Sequence, residues 1–341
     1  MLRLVGILIT VLFAVACAVL VWPQFFQLET TFPIAQMVAS RALLLAGFLG
    51  VVVLALLLLL ARPLRGFAAS ILIVALIGAA GTVLVGALRG PGTGSLPEKT
   101  DTALRVLTWN TQGAAVPAER IADVISEQQA DIVALPETSE EVGEQIAIMM
   151  RDAGTPMWVH HVNIRPDVPN GPQAWQTTIL ISTELGDYSV IESSRNGSSN
   201  TGSVPSAVAM PVDGSGPTIV AVHAVAPRQQ AMSRWRSDLA WIGDQCPAGD
   251  FILAGDFNAT LDHMASFGVD GGDMGHCRDV ASRTGNGMAG TWPAGVPALL
   301  GAPIDHIMAS ENWVPSGSAV LEDAGGSDHR ALVAQLEPAG S

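Results

Sequence analysis

Residues 251–260 read FILAGDFNAT. Four apolar side chains in succession, bounded by Gly255, fit a short strand buried on both faces. Asp256, Phe257 and Asn258 then end the run in a polar turn. A carboxylate and a carboxamide at the end of a buried strand stand on a rigid frame, where sites are commonly built. The pattern recurs outward from this point. Residues 104–110 (LRVLTWN) end in Asn110, and residues 131–137 (DIVALPE) end in Glu137. His223 interrupts VAVHAV, Asp305 and His306 lie in the strand-like run 304–309, and Asp328 and His329 precede the run 331–336. Further strand-like runs cover 157–164, 175–182, 204–211 and 218–225. Helical spacing marks 117–129, 139–151 and 229–245, the first with Pro117 near its start and the second with Ser139 as cap. Many strands joined by few helices predict an α/β sandwich rather than a simple parallel sheet.

The front of the chain is of another kind. Only 14% of the 341 residues are charged against 49% hydrophobic, whereas soluble domains carry about 25% charge. Residues 4–22, 42–61 and 68–88 are uncharged apolar runs of 19, 20 and 21 residues. At 1.5 Å per residue each can cross a hydrocarbon core of about 30 Å. A cleaved signal ending near Cys17 is the rival reading of the first run, but two further spans follow it. The basic residues Arg3, Arg62 and Arg65 place the N-terminus and the 62–66 loop in the cytoplasm. Arg89 votes weakly the other way. Three spans then put the remainder on the extracytoplasmic face. The expected organisation is an anchor over 1–88, a flexible Gly-rich linker over 89–103 and one domain over 104–341. Cys246 and Cys277 either form a bridge, as an oxidising compartment favours, or stay as two separate buried thiols.

Singly, none of the polar strand-end residues points to a function. Together, Asn110, Glu137, His223, Asp256, Asn258, Asp305, Asp328 and His329 form a set of oxygen donors and imidazoles suited to a hard cation and an anionic substrate. No Cys cluster supports a thiolate site, no Gly-rich phosphate loop is followed by Lys, and no Gly-x-Ser-x-Gly elbow supports a serine esterase.

The ordered segments WNTQG, DIVALPE, VAVHA, ILAGDFNAT, APIDHI and GSDHRAL resemble the endonuclease/exonuclease/phosphatase superfamily over about residues 104–336. The apolar front end is similar to that of its membrane-tethered bacterial members. The resemblance implies a DNase I-like four-layered α/β sandwich, two packed β-sheets flanked by helices, and Mg²⁺-dependent hydrolysis of a phosphate ester, with Mn²⁺ as an alternative ion. Carried over residue by residue, Glu137 is the main metal ligand, with Asn110 beside it and Asp328 nearby. His329 is the base, or the imidazolium partner of the phosphate, and Asp305 orients it. Asp256 positions the attacking water or assists its deprotonation, and Asn258 and His223 hold phosphate oxygens. The chain departs from many nuclease members at Gln112, where an acid is usual, and at His306, where Tyr is common. His160, His161, His263, His276 and Trp292 match no motif and read as structural.

Charge bears on the substrate. Residues 1–97 hold five Arg and one Glu, +4; the other twelve basic and thirty acidic residues give −18 beyond them. Such a domain repels long polyanions. Arg228, Arg234 and Arg236 either touch phosphates or form a solvated helix face. The favoured substrate is a small or membrane-borne phosphate ester. An extracellular nuclease and an inactive membrane-tethered binding module are the alternatives.

Overall fold

A computed structural model of the chain describes residues 2–168, 171–191, 200–323 and 325–340. It begins with helix α1 (Leu2–Val21), the short α2 (Ile34–Val38), α3 (Arg41–Leu58) and α4 (Arg65–Arg89). Three of these, α1, α3 and α4, are long and apolar enough to cross a membrane, with mean hydropathy of 3.0, 2.5 and 2.6. A helix is the form that satisfies every backbone polar group without water. Their outer faces leave Leu8, Leu57 and Ile77 exposed, while small residues line the helix contacts and Phe48 packs directly against Gly78.

The rest of the chain builds two six-stranded sheets. The strands are β1 (Leu104–Thr108), β2 (Ile132–Pro136), β3 (Met157–Asn163), β4 (Gln176–Ser182), β5 (Tyr188–Ile191), β6 (Ala207–Pro211), β7 (Thr218–His223), β8 (Phe251–Asp256), β9 (Arg278–Asp279), β10 (Asp305–Ala309), β11 (Trp313–Val320) and β12 (Leu332–Pro338). One sheet runs β11-β12-β1-β2-β4-β3 and the other β5-β6-β7-β8-β10-β9. Helices α5 (Ala118–Gln128) and α6 (Glu140–Asp152) cover the first; α7 (Met232–Asp244) covers the second, and α8 (Leu261–Met264) and α9 (Val280–Arg283) are single turns. This is the expected four-layered sandwich.

The period of two in each strand explains the layers. Val106, Ile132, Ala134, Ile219, Ile252 and Ala254 face the opposite sheet in one shared core. Their neighbours Leu107, Val133 and Leu135 pack under α5 and α6, and Val220, Val222 and Leu253 pack under α7. With both faces buried, the central strands read as unbroken apolar runs. Cys246 and Cys277 are joined in a disulfide, which settles the alternative left open by the sequence.

The apolar helices and the sandwich meet at Asp262, which is buried. Arg41 at the start of α3 binds it through Nε (2.8 Å to Oδ2) and Nη2, and Arg89 at the end of α4 through Nη1 and Nη2 (2.7 and 2.8 Å). Arg41 Nη1 also donates to the last carbonyls of α1, at Leu20 and Val21. Three helix ends therefore converge at the sandwich, and the turn containing Arg62 lies at the other end of the bundle. Between anchor and β1, the chain lies along the sandwich: Gly92 N donates to Gly285 O (2.9 Å), Gln335 Nε2 to Glu98 O (3.2 Å), and Lys99 pairs with Asp131 (2.6 Å).

Candidate active site

Strand register brings the polar residues together. In the second sheet β7 and β8 are parallel with His223 opposite Asp256, and β8 and β10 are antiparallel with Asp256 opposite Asp305. His223, Asp256 and Asp305 thus form one row across three adjacent strands. Gly255 makes the row possible, because at its φ of +154° a Cβ would collide with the Val222 carbonyl of the neighbouring strand. Asn110 and Glu137 follow β1 and β2, parallel neighbours in the first sheet. Asn110 joins the sheets: its Nδ2 donates to Asp256 Oδ2 at 3.0 Å and to Glu137 Oε1 at 3.2 Å.

His329 arrives on the loop before β12. Its backbone is tied to the first sheet, with Trp109 Nε1 donating to its carbonyl (3.0 Å) and Ser327 Oγ linking its N–H to the Asn110 carbonyl (3.0 and 2.7 Å). Its Nδ1 lies 2.8 Å from Asp305 Oδ2 and its Nε2 3.9 Å from Asp256 Oδ2. Asp256, Asp305 and His329 offer ligand atoms all within 4.8 Å of one another.

The electrostatics follow from burial and spacing. Burial opposes a charge on His329, but the carboxylates of Asp305 and Asp256 outweigh it and raise its pKa well above the ordinary imidazole value. These carboxylates favour the imidazolium form of the ring. Burial, and then the neighbouring Asp305 carboxylate, push Asp256 upward from the usual carboxylate range. His223 is driven the other way, down to about 3, first by burial and then by the charge on His329, so it is neutral.

Glu137, Asn110, Asp256, Asn258, Asp328 and His329 share a cavity of about 500 Å³. Six described non-glycine residues adopt positive φ, and Gln112, Glu137 and Asn258 are three of them. Such backbone conformations cost about 1–3 kcal/mol each and cluster at functional sites. Asn258 spends its amide hydrogens on Ala224 O (2.9 Å) and Asp256 Oδ2 (3.1 Å), which fixes the Asp256 carboxylate. His223 Nε2 stands 3.7 Å from Glu137 Oε1, and its Nδ1 has no hydrogen-bond partner among the described residues. Asp328 is the outlying member, 43% exposed at the rim, with its Oδ1 4.0 Å from His329 Nε2.

Several residues at the cavity were not among the expected ligands and catalytic groups. Trp292, read as packing, is 41% exposed, lines the cavity and donates its Nε1–H to Asp328 Oδ2 at 2.9 Å. Gln112 accepts the Asp328 N–H (3.0 Å), and Arg228 also lines the cavity. His306 packs beneath the site, bonded to Asp279 (2.7 Å) and the Ala259 carbonyl (2.9 Å). His263 is structural too, with Nδ1 accepting from Thr260 N (2.9 Å), while His160 and His161 lie on the edge strand β3.

The profile of the Endonuclease/Exonuclease/phosphatase family matches residues 107–329. Among solved structures, an endonuclease/exonuclease/phosphatase from Beutenbergia cavernae is 20% identical, with TM-score 0.53 over 70% of this chain and 72% of its own. A family protein from Leptotrichia buccalis is 14% identical, with TM-score 0.51 over 69% and 99%. A humanized TDP2 of D. rerio is 16% identical, with TM-score 0.51 over 70% and 100%. At these identities the likeness concerns the fold. No curated protein matches the chain.

Proposed function

The chain belongs to the endonuclease/exonuclease/phosphatase family, and from that membership we propose that it is a membrane-anchored phosphoesterase. It uses a divalent cation to hydrolyse a phosphodiester or phosphomonoester by in-line attack of water. The observation that carries this reading is the Asp305–His329 pair set beside Asp256 in one cavity with Glu137.

The donors fit a hard cation. The Glu137 and Asp256 carboxylates and the Asn110 carboxamide are oxygen donors, and Asp305 Oδ1 is buried without a hydrogen-bond partner among the described residues. That chemistry suits Mg²⁺, or Mn²⁺. Glu137 would hold the ion, with Asn110 beside it and Asp328 nearby. When bound, the cation polarises the phosphoryl group and neutralises charge on the leaving oxygen.

The protein's own groups supply the rest. Asp256 is held by Asn110 and Asn258, and its raised basicity suits it to take a proton from the attacking water. The water oxygen bonds to phosphorus as the bond to the leaving oxygen breaks, and that oxygen takes a proton from solvent. His329, as imidazolium, directs Nε2–H at a non-bridging phosphate oxygen. Asp305 accepts its Nδ1–H, which favours the charged ring and fixes its orientation. Neutral His223 adds a hydrogen bond to phosphate without adding charge.

The anchor sets the place of action. Arg62 and Arg65 lie at the end of the bundle away from the sandwich, which by the positive-inside tendency supports a sandwich outside the cytoplasm. The Cys246–Cys277 bridge supports the same side. The test is hydrolysis of bis(4-nitrophenyl) phosphate and 4-nitrophenyl phosphate by the full-length protein in detergent. Turnover with Mg²⁺ that EDTA abolishes is expected. No turnover of either ester with Mg²⁺ or Mn²⁺ contradicts the proposal.

A further inference from the structure

The cavity has a wall that the sandwich does not supply. Ala35, Gln36 and Ala39, from the connection between the first two spans, line it together with Glu137, Asp256 and His329. The connection is docked at several points. His263 Nε2 lies 2.9 Å from the Ala35 carbonyl, Gln36 Nε2 donates to Pro227 O, and Gln24 Nε2 donates to Asp262 Oδ1 at 2.8 Å. The Asp262 clasp on Arg41 and Arg89 fixes the ends of α3 and α4 against the same side.

This docking sets the depth of the site. Ala39 stands two residues before Arg41, where α3 begins. Two residues of chain span at most about 7 Å. The headgroup layer on each side of the hydrocarbon core is itself about 5–7 Å thick. With the hydrocarbon core beginning where α3 does, one wall of the cavity lies at headgroup level. The surroundings are apolar to match. Trp22 and Phe25, at the sandwich end of α1, are 61% and 66% exposed. Leu299 and Leu300 are exposed as well, and Ser40 Oγ, next to the start of α3, donates to Leu300 O at 3.1 Å. The same loop carries Trp292 into the cavity lining.

We propose that the site takes its phosphate ester from a lipid in the headgroup layer of the bilayer that its own spans cross, with residues 34–40 as the membrane-side wall. This rests on the phosphoesterase reading above and names its substrate class. It also explains the acidic sandwich: a site fixed against a bilayer receives its anion by lateral diffusion and needs no long-range attraction.

The test uses full-length protein reconstituted in phosphatidylcholine vesicles. Phosphatidylglycerol, phosphatidylinositol or sphingomyelin is placed in the same bilayer (cis) or in separate vesicles (trans), with soluble bis(4-nitrophenyl) phosphate as a parallel arm. Hydrolysis of at least one lipid ester is expected, faster in cis than in trans by at least about tenfold. Equal cis and trans rates, or turnover of the soluble ester alone, overturn the proposal and leave the phosphoesterase reading standing. No turnover in any arm overturns both. In addition, Ala39→Trp, which fills the membrane-side wall, should lower the cis rate at least ~10-fold by displacing the bound ester. An unchanged cis rate in that variant contradicts the role of the wall.

Discussion

Asp256 and Asp305 face each other directly across the antiparallel strands β8 and β10, both buried. Like charges in that relationship repel, and burial adds to the cost. His329 offsets both costs by placing one ring nitrogen toward each carboxylate.

In the proposed mechanism Asp305 is a positioning residue. Asp305→Asn is expected to lower kcat by about 10²–10⁴ with KM changed much less, because the ring loses the carboxylate that favours its charge and fixes its orientation. The His329 titration followed by NMR should move down toward the ordinary imidazole range, since Asp305 is the largest charge raising it. An unchanged titration with unchanged kcat contradicts this role.

Glu137 reaches into the cavity from a residue at φ +59° and is held by Asn110 Nδ2. Glu137→Gln keeps the shape and removes the charge. Calorimetric titration should show Mg²⁺ or Mn²⁺ binding weakened by at least ~10-fold, the lower end of what loss of an outer partner costs. Wild-type affinity in the variant would place the ion elsewhere.

Asp262 carries a pH prediction. Burial raises its pKa, but the guanidinium groups of Arg89 and Arg41 more than offset this and hold the carboxylate well below its usual range. A depressed folded pKa adds stability that is fully present above the unfolded value, about 3.9, and is lost as pH falls below it toward the folded pKa. Asp262→Asn leaves two arginines without their anion, at a cost of about 3–5 kcal/mol near neutral pH. The Tm gap between wild type and variant should be widest above pH 5 and narrow steadily below pH 4. A gap that does not depend on pH contradicts the account of the clasp.

The proposed topology is checked in intact cells. A membrane-impermeant protease should cut within the sandwich of the wild-type protein, and the Cys246–Cys277 bridge should be present without added oxidant. Removing the bridge, which spans 31 positions, should cost roughly 3–4 kcal/mol. Protection from the protease together with free thiols would reverse the orientation.

The strands were legible because burial on both faces writes unbroken apolar runs such as FILA and DIVAL. Once the ends of those runs were marked, Asn110, Glu137, Asp256 and Asp305 stood out by position alone. Other features had no local signature. Arg89 read as a topology charge, yet it shares the carboxylate of Asp262, 173 positions away, with Arg41, 221 positions from it. Ala35 and Ala39 have no side-chain chemistry to read, and they join the site only because the anchor docks on the sandwich. Trp292 looked like core because a tryptophan in a short loop is apolar by type; its exposure depends on the Asp328 contact and the open cavity.

The most direct test of the central claim is the steady-state kinetics of His329→Ala on bis(4-nitrophenyl) phosphate at saturating Mg²⁺. A fall in kcat of at least ~10², with the fold retained, is predicted if the ring stabilises charge on the reacting phosphate. Wild-type kcat with a change in KM alone would contradict it.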